Sequence, residues 1–492
     1  MRRFLILALA LAALAAVLPT AAMTAFAANC PDVAPPALAF DEPTFIDRTR
    51  AGGEPVSIVA QDGSINVSTH AGTTHVYKDP AAAGGAGDFA VDYTNQTLNW
   101  RSDDGGKSWE YVGIPLVKRG PHSATSTGFS DPDYAMDAGG RIYNTEIDLA
   151  NVAVFSSLDD GQSYTVANPI AASGDRPWLT AGDKDEVFLY VNLPRQLFRS
   201  TNGGVTFDLI NVTTATGNRM DPNFPVKAKI YNDPKNFEKG LIGPAGTDAI
   251  AISNNDGRPG SWKIYEGAGL GPNVDFFGAI AVDKAGNAYR AAAGGYGGPS
   301  DTTADGQVTF NYFDRSTESW GEQAVIIPTP KGDAMWPWVI AGDDGRAAVV
   351  WYQNLEGKPN EFYAYAAYTT NAHGTTVTCD DGSTKFIPPQ FSVANASGRP
   401  VHVGAICLQG TACNASTNFV NGDRRLGDFF TVNYDKDGAL FIVSGDTTLR
   451  SPTGGPKPVG NPIFIKQSSG APMLEQPMPV RKTRCLFPLP SC

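Results

Sequence analysis

Arg101-Ser102-Asp103-Asp104-Gly105-Gly106-Lys107-Ser108-Trp109 is the stretch that decides the reading of this chain. It has the form Ser-x-Asp-x-Gly-x-Ser-Trp, a polar turn ending on a large aromatic. The form returns at Ser157-Leu158-Asp159-Asp160-Gly161-Gln162-Ser163-Tyr164. It returns again, with Asn for Asp, at Ser200-Thr201-Asn202-Gly203-Gly204-Val205-Thr206-Phe207. A fourth copy starts at Ser253-Asn254-Asn255-Asp256-Gly257, and its aromatic, Trp262, arrives two residues late. Short apolar segments flank each copy, as Gln196-Leu197-Phe198-Arg199 and Asp208-Leu209-Ile210 flank the third. The physical reading is a β-hairpin turn: Asp or Asn bonds its own backbone, Gly takes the positive-φ position, and the ring folds back as a plug. Burying such a ring is worth roughly 1.5–3 kcal/mol. One copy is an ordinary hairpin. Four copies at intervals of about 45–55 residues mark an array of sheets.

A second repeat surrounds the first: an apolar strand, an Asp/Gly turn, and another apolar strand. Its copies open at Pro55–Val59, Asp133–Met136, Arg176–Leu179, Phe224–Ile230 (looser), Phe276–Ile280, Trp336–Ile340 and Phe429–Val432. In the first four units this opening repeat precedes a Ser-x-Asp/Asn turn, so each unit is four strands, a-b-c-d. Four-stranded sheets repeated six or seven times close into a β-propeller, which removes long exposed edges. The expected fold is therefore an all-β propeller of seven four-stranded blades, with six as the alternative. Residues 54–445 form the ring, with a cysteine-bearing insertion at about 365–425. Residues 28–53 form an N-terminal segment, in which Phe40–Ile46 could supply a missing outer strand to the last blade. Residues 446–492, rich in Pro and Gly, read as a surface tail.

The chain has 492 residues, 53 Gly, 36 Pro and a formal net charge of −12. That composition suits a turn-rich globular β protein, and the charge argues against nucleic acid as a partner. Residues 1–27 read as a signal peptide: Arg2 and Arg3, an apolar run from Phe4 to Leu18, and Ala25-Phe26-Ala27 as a cleavage site. The run is shorter than a membrane span needs, so an exported, extracellular monomer is expected. Six cysteines follow the leader, which in that compartment suggests three disulfides. Cys407–Cys413 is ranked first because it closes a short loop, and Cys30 is expected to pair with a C-terminal cysteine.

The Ser-x-Asp-x-Gly-x-Ser/Thr-aromatic boxes resemble the Asp-box (BNR) repeat of the sialidase superfamily, whose members are propellers. Under that resemblance Ser102, Asp104, Gly106, Trp109, Ser157, Asp159, Gly161, Tyr164, Ser200, Asn202, Gly204 and Phe207 are structural. It implies a sialidase-like glycoside hydrolase acting on a glycan or glycoconjugate, an exo-α-sialidase-like glycosidase if an enzyme. A non-catalytic propeller that binds glycan or protein is the alternative. True sialidases hold a carboxylate with three arginines and use a Tyr nucleophile backed by Glu, with an Asp acid/base. No Arg-Ile-Pro motif stands near the first opening strand here, and no Tyr is marked as nucleophile by a motif.

In an a-b-c-d blade the a–b and c–d turns share one face, and the d–a and b–c connections share the other. A substrate site belongs on the second face, the mouth. Acids recur there just before strand a: Asp131, Asp133, Asp175, Asp221, Asp275, Asp333 and Asp428. They either order the connections by bonding local amides or form a ring of carboxylates able to do acid/base work or hold Ca2+. The catalytic candidates are Asp131, Asp175, Glu146 and Tyr352. The binding candidates are Arg176, Arg290 and Arg425 as an anion clamp, with His70, His75 and Trp178. Trp178 either stacks on a sugar or packs between blades. No cofactor and no dedicated metal site are expected.

Overall fold

The computed structural model describes residues 29–70, 97–113, 129–148, 151–193, 195–212, 231–232, 239–246, 248–274, 279–409, 423–450, 452, 454–457 and 459–481. Among them there is no helix, and the strands form seven blades in a ring, a seven-bladed β-propeller. No helix among the described residues is long and apolar enough to cross a membrane.

Blade 1 runs Gly53–Val59, Ile65–His70, Thr97–Ser102 and Glu110–Tyr111. Blade 2 has a split inner strand, Phe129–Ser130 and Tyr134–Met136, then Ile142–Asp148, Asn151–Ser157 and Thr165–Ser173. Blade 3 is Asp175–Ala181, Val187–Leu193, Gln196–Ser200 and Asp208–Val212. Blade 4 is Tyr231–Asn232, Leu241–Pro244, Ala249–Ser253 and Trp262–Glu266. Blade 5 is Ile280–Val282, Ala288–Gly294 and Gln307–Asp314, flanked by Ser319–Trp320 and Val325–Ile327. Blade 6 is Ala334–Ala341, Ala347–Leu355 and Lys358–Thr369, flanked by Ser392–Asn395 and His402–Val403. Blade 7 is Thr431–Tyr434, Leu440–Asp446 and Asn461–Ser469. Its outer edge is covered from the other end of the chain: Ala39–Phe40 pairs with Ser469 and Gln467, and Thr44–Phe45 pairs with Phe464 and Ile463.

Two boundaries differ from the expectation. Asn461–Ser469 is the third strand of blade 7 and its first five residues are buried, not a surface tail. The Pro and Gly of residues 452–460 hid it, because they belong to the connection that precedes it. Likewise the end of Lys358–Thr369, from Tyr365 on, and all of Ser392–Asn395 are blade strand inside the span read as an insertion.

The repeated turns fold as their chemistry requires. Ser102 Oγ donates to Asp104 Oδ1 at 2.9 Å and accepts from Gly106 N at 2.8 Å. Ser108 closes the turn on Asp104 through its amide, 2.9 Å, and hydroxyl, 2.6 Å. Ser157, Asp159, Gly161 and Ser163 repeat the pattern, as do Ser200, Asn202, Gly204 and Thr206. The Ser108 hydroxyl and amide hold the Asp104 carboxyl down at about 2. Gly161, at φ 86°, lies so close to blade 1 that a Cβ there would sit 1.9 Å from Asn66 Oδ1. The turn therefore seals a blade against its predecessor. The a–b turns seal the other way: Asp137 Oδ2 accepts from Tyr143 Oη at 2.9 Å and from Asp185 N of blade 3 at 2.7 Å. The second strands of blades 5 and 7 are wholly buried on both faces, so Arg290, Ser444 and Asp446 within them must find partners inside the protein.

Contacts divide the chain into a large unit, Val33–Thr375 with Ile387–Cys492, and a small one, Met1–Asp32 with Thr376–Phe386. In the small unit Asn29 and Asp380 exchange backbone-anchored hydrogen bonds of 2.9 and 3.0 Å. That pairing brings Cys30 and Cys379 to a Cα separation of 4.1 Å, and they form a disulfide. The expected partner for Cys30, a C-terminal cysteine, is thus corrected to Cys379. Cys407 is disulfide-bonded, while its expected partner Cys413 lies outside the described residues.

Candidate functional site

Four residues other than glycine share one unusual position. Glu54, Asp131, Arg176 and Trp336 have φ of 46°, 55°, 64° and 51°. Each sits at the start of an inner strand, in blades 1, 2, 3 and 6, and each is followed by proline. A left-handed backbone at such residues costs of order 1–3 kcal/mol and persists only where the surroundings hold it. Backbone strain of this kind concentrates at ligand-facing positions, and here it repeats around one face of a ring.

Three of these residues meet. Glu54 is fully buried; its Oε1 accepts from Asp428 N at 2.9 Å and its Oε2 lies 3.1 Å from His70 Nε2. Asp131, 3% exposed, is the neighbouring buried carboxyl. Burial first, and then the neighbouring carboxylates, push both upward: Asp428 acts on Glu54, and Glu54 acts on Asp131. Arg176 Nη2 pairs with Asp428 Oδ2 at 2.8 Å, and its Nε lies 3.6 Å from Asp175 Oδ2. Asp428 also pairs with Arg424. Burial pushes the Asp428 carboxyl up, but Arg424 and Arg176 outweigh it and hold it below its ordinary value. Gly427 makes room for this packing, since a Cβ on it would fall 2.3 Å from Glu54 Cγ.

Asp175 is the carboxylate of the group most open to solvent, its side chain 44% exposed against 13% for Arg176 and 1% for Asp428. Burial and then Asp131 raise the Asp175 carboxyl to about 6, against the pull of Arg176. The arrangement is a solvent-reaching carboxyl raised to about 6, set beside two buried carboxyls that burial pushes up. That is the environment in which one acid keeps a proton for transfer while another stays ionised.

The other expected residues are placed elsewhere. Arg290 is fully buried and spends its Nη1 on Ala249 O at 2.5 Å and its Nη2 on Gly246 O at 3.3 Å, tying blade 5 to blade 4. Arg425 holds Asp423 at 2.5 Å and the carbonyls of Thr447 and Lys457 at 3.2 and 2.9 Å. The three arginines therefore do not converge. Tyr352 is fully buried, stacked on Phe430 at 4.0 Å and bonded to Ser444 Oγ at 2.7 Å, and burial pushes its hydroxyl far up. Glu146 is fully buried on the second strand of blade 2. Trp178 packs against Trp338 and Phe429, with centroids 6.2 and 5.4 Å away, and is a plug between inner strands. His70 joins the site through Glu54. Asp133 accepts from Leu179 N at 2.7 Å and ties blade 2 to blade 3. Asp333 binds Asn354. His75, Asp221 and Asp275 lie outside the described residues. Sequence reading missed Glu54. Its signal was Glu54-Pro55, the same residue-then-proline step as Asp131-Pro132 and Arg176-Pro177.

No protein-family model and no curated protein matches the chain. Solved structures do. YCF48 from Cyanidioschyzon merolae aligns at TM-score 0.44 and 11% identity, over 87% of this chain and 98% of that one. The intramolecular trans-sialidase from Ruminococcus gnavus aligns at 0.41 and 11%, over 73% and 97%. An alpha-L-arabinofuranosidase from Fusarium graminearum aligns at 0.38 and 14%, over 74% and 99%. The chain is similar to propellers that include glycoside hydrolases and YCF48.

Proposed function

We propose that this protein is an exported, sialidase-like propeller glycosidase that hydrolyses a glycan at the mouth of the ring. Asp175 is the proton donor, and the Glu54–Asp131 pair is the group that tunes and steadies it. The observation that carries the reading is the Asp175 carboxyl, raised to about 6 and reachable from solvent, beside strained residues from three blades. Glycoside cleavage needs one carboxyl that gives a proton to the leaving oxygen and a second that acts on the sugar or on water. In the cluster Asp428 is the carboxylate that Arg424 and Arg176 hold down, whereas burial pushes Asp131 up and away from that second role.

Within that class the geometry favours a neutral sugar over a sialic acid. Arg176 is the single expected clamp arginine at the carboxyl cluster, and Asp428 already holds it. Release from a panel of fluorogenic glycosides, neutral sugars and a sialoside together, is the test. Turnover of a neutral glycoside that vanishes in Asp175→Asn supports the proposal; folded wild type that releases nothing from any member removes it. A non-catalytic glycan-binding propeller is the second reading. It is favoured by the burial of Glu54, His70 and Asp131, at 0%, 0% and 3% exposure, and is indicated by glycan binding without turnover.

A further inference from the structure

A second site of different chemistry lies at the outer edge of blade 7. An open cleft of about 550 Å³ is lined by Pro43, Thr44, Phe45, Arg48, Arg399, Thr448 and Leu449. The Arg48 guanidinium carbon stands 4.4 Å from the centroid of the Phe45 ring, and that of Arg399 stands 5.9 Å from the same centroid. Arg399 is fixed by Nη1, which donates to the fully buried Asp446 at 2.6 Å and to Pro400 O at 3.1 Å. Lys457 Nζ donates to the backbone carbonyl of Arg48 and helps to fix that segment. Asp47, next in the chain, is already taken by Arg50 at 2.8 Å and by Trp100 Nε1 at 3.2 Å. Among the described residues the Arg48 guanidinium has no ion-pair partner.

A guanidinium laid on a ring uses its face and leaves its in-plane N–H groups for an acceptor. Such a fork fits the two oxygens of a carboxylate or sulfate, and holding it in advance lowers the ordering cost of binding. Local cations in a chain of net charge −12 stand against the protein's overall field. The cleft also shares a connection with the carboxyl cluster. Arg425 holds the carbonyls of Thr447 and Lys457, and its neighbour Arg424 pairs with Asp428, the partner of Arg176.

We propose that this cleft binds an oxyanion, a carboxylate or sulfate group, carried on a glycan chain. The glycan part rests on the function proposed above; the oxyanion part does not. The test measures binding of the full chain to polygalacturonate, dextran sulfate, neutral dextran and a single-stranded oligothymidylate of matched charge, at low and moderate salt. Wild type is expected to bind polygalacturonate or dextran sulfate, and the one it prefers identifies the group. Arg48→Ala, an exposed position, is expected to weaken that binding about tenfold. Arg48→Gln, which keeps most of the side chain's length, should weaken it similarly. The idea is overturned if neither polyanion binds, if both variants bind as wild type does, or if oligothymidylate binds as well as the glycans. Running the assay also on Asp175→Asn separates the two proposals: lost turnover with kept binding speaks to the mouth alone.

Discussion

Replacing Gly161 by Ala tests whether the repeated turn seals neighbouring blades or is only a local hairpin. Gly161 has φ 86°, and a Cβ would lie 1.9 Å from Oδ1 of Asn66, a residue of blade 1 that is 1% exposed. Asn66 cannot easily give way, because its Nδ2 donates to Asp160 O at 3.2 Å. Two costs add. A left-handed backbone costs Ala about 1–2 kcal/mol, and forcing extra volume into a packed interface costs typically about 1–3 kcal/mol. Gly357→Ala is the control, with φ 79° and nothing within 4 Å of its Cβ, so it bears the first cost alone. The gain from a stiffer unfolded chain applies to both and cancels. Gly161→Ala should therefore lose about 1–3 kcal/mol more than Gly357→Ala. Urea unfolding followed by tryptophan fluorescence measures both, and adding Asn66→Ala to Gly161→Ala should recover part of the excess. Equal losses in the two single variants would refute the sealing role.

Further outcomes are expected. If Asp175 donates the proton, turnover falls as pH rises through about 6, where its carboxyl ionises; a rate that rises there instead removes the assignment. The same raised carboxyl means the folded state holds more protons than the unfolded one between its ordinary value of 3.8 and about 6. Its contribution to stability therefore falls as pH rises through that window, readable as a midpoint shift that Asp175→Asn makes smaller. A non-reducing peptide map should join the Cys30 peptide to the Cys379 peptide; a Cys30–Cys485 or Cys30–Cys492 link would contradict the structure. Deleting residues 29–46 should bare the edge of Asn461–Ser469 and lower solubility and the thermal midpoint; a deletion that stays monomeric with an unchanged midpoint would show that the edge needs no cover.

Much of the fold is legible in the chain because its signals are local. Ser102, Asp104, Gly106 and Ser108 sit within one turn and satisfy one another, so their pattern declares a hairpin wherever it recurs. Six of the seven opening repeats overlap inner strands, and the fourth, Phe224–Ile230, lies outside the described residues. Asn461–Ser469 was illegible because the Pro/Gly-rich connection before it dominates the composition of that region. The carboxyl cluster was half legible: Asp131, Asp175, Arg176 and Asp428 stand out just before their strands. Glu54 does not, because its partner Asp428 is 374 residues away.

The sequence by itself determined the turns and the repeated four-strand unit, since each depends on residues within a few positions of one another, and left seven blades or six for the structure to decide. Only the tertiary structure decided which charged groups share a space. Arg176, Arg290 and Arg425 look alike in the chain, yet ring closure seats Arg176 among Asp175 and Asp428. It leaves Arg290 against the carbonyls of blade 4 and Arg425 against Asp423 and the Thr447–Lys457 connection. The difference arises because a guanidinium's role is set by whichever acceptors surround it, and in a closed ring those come from blades far apart in sequence.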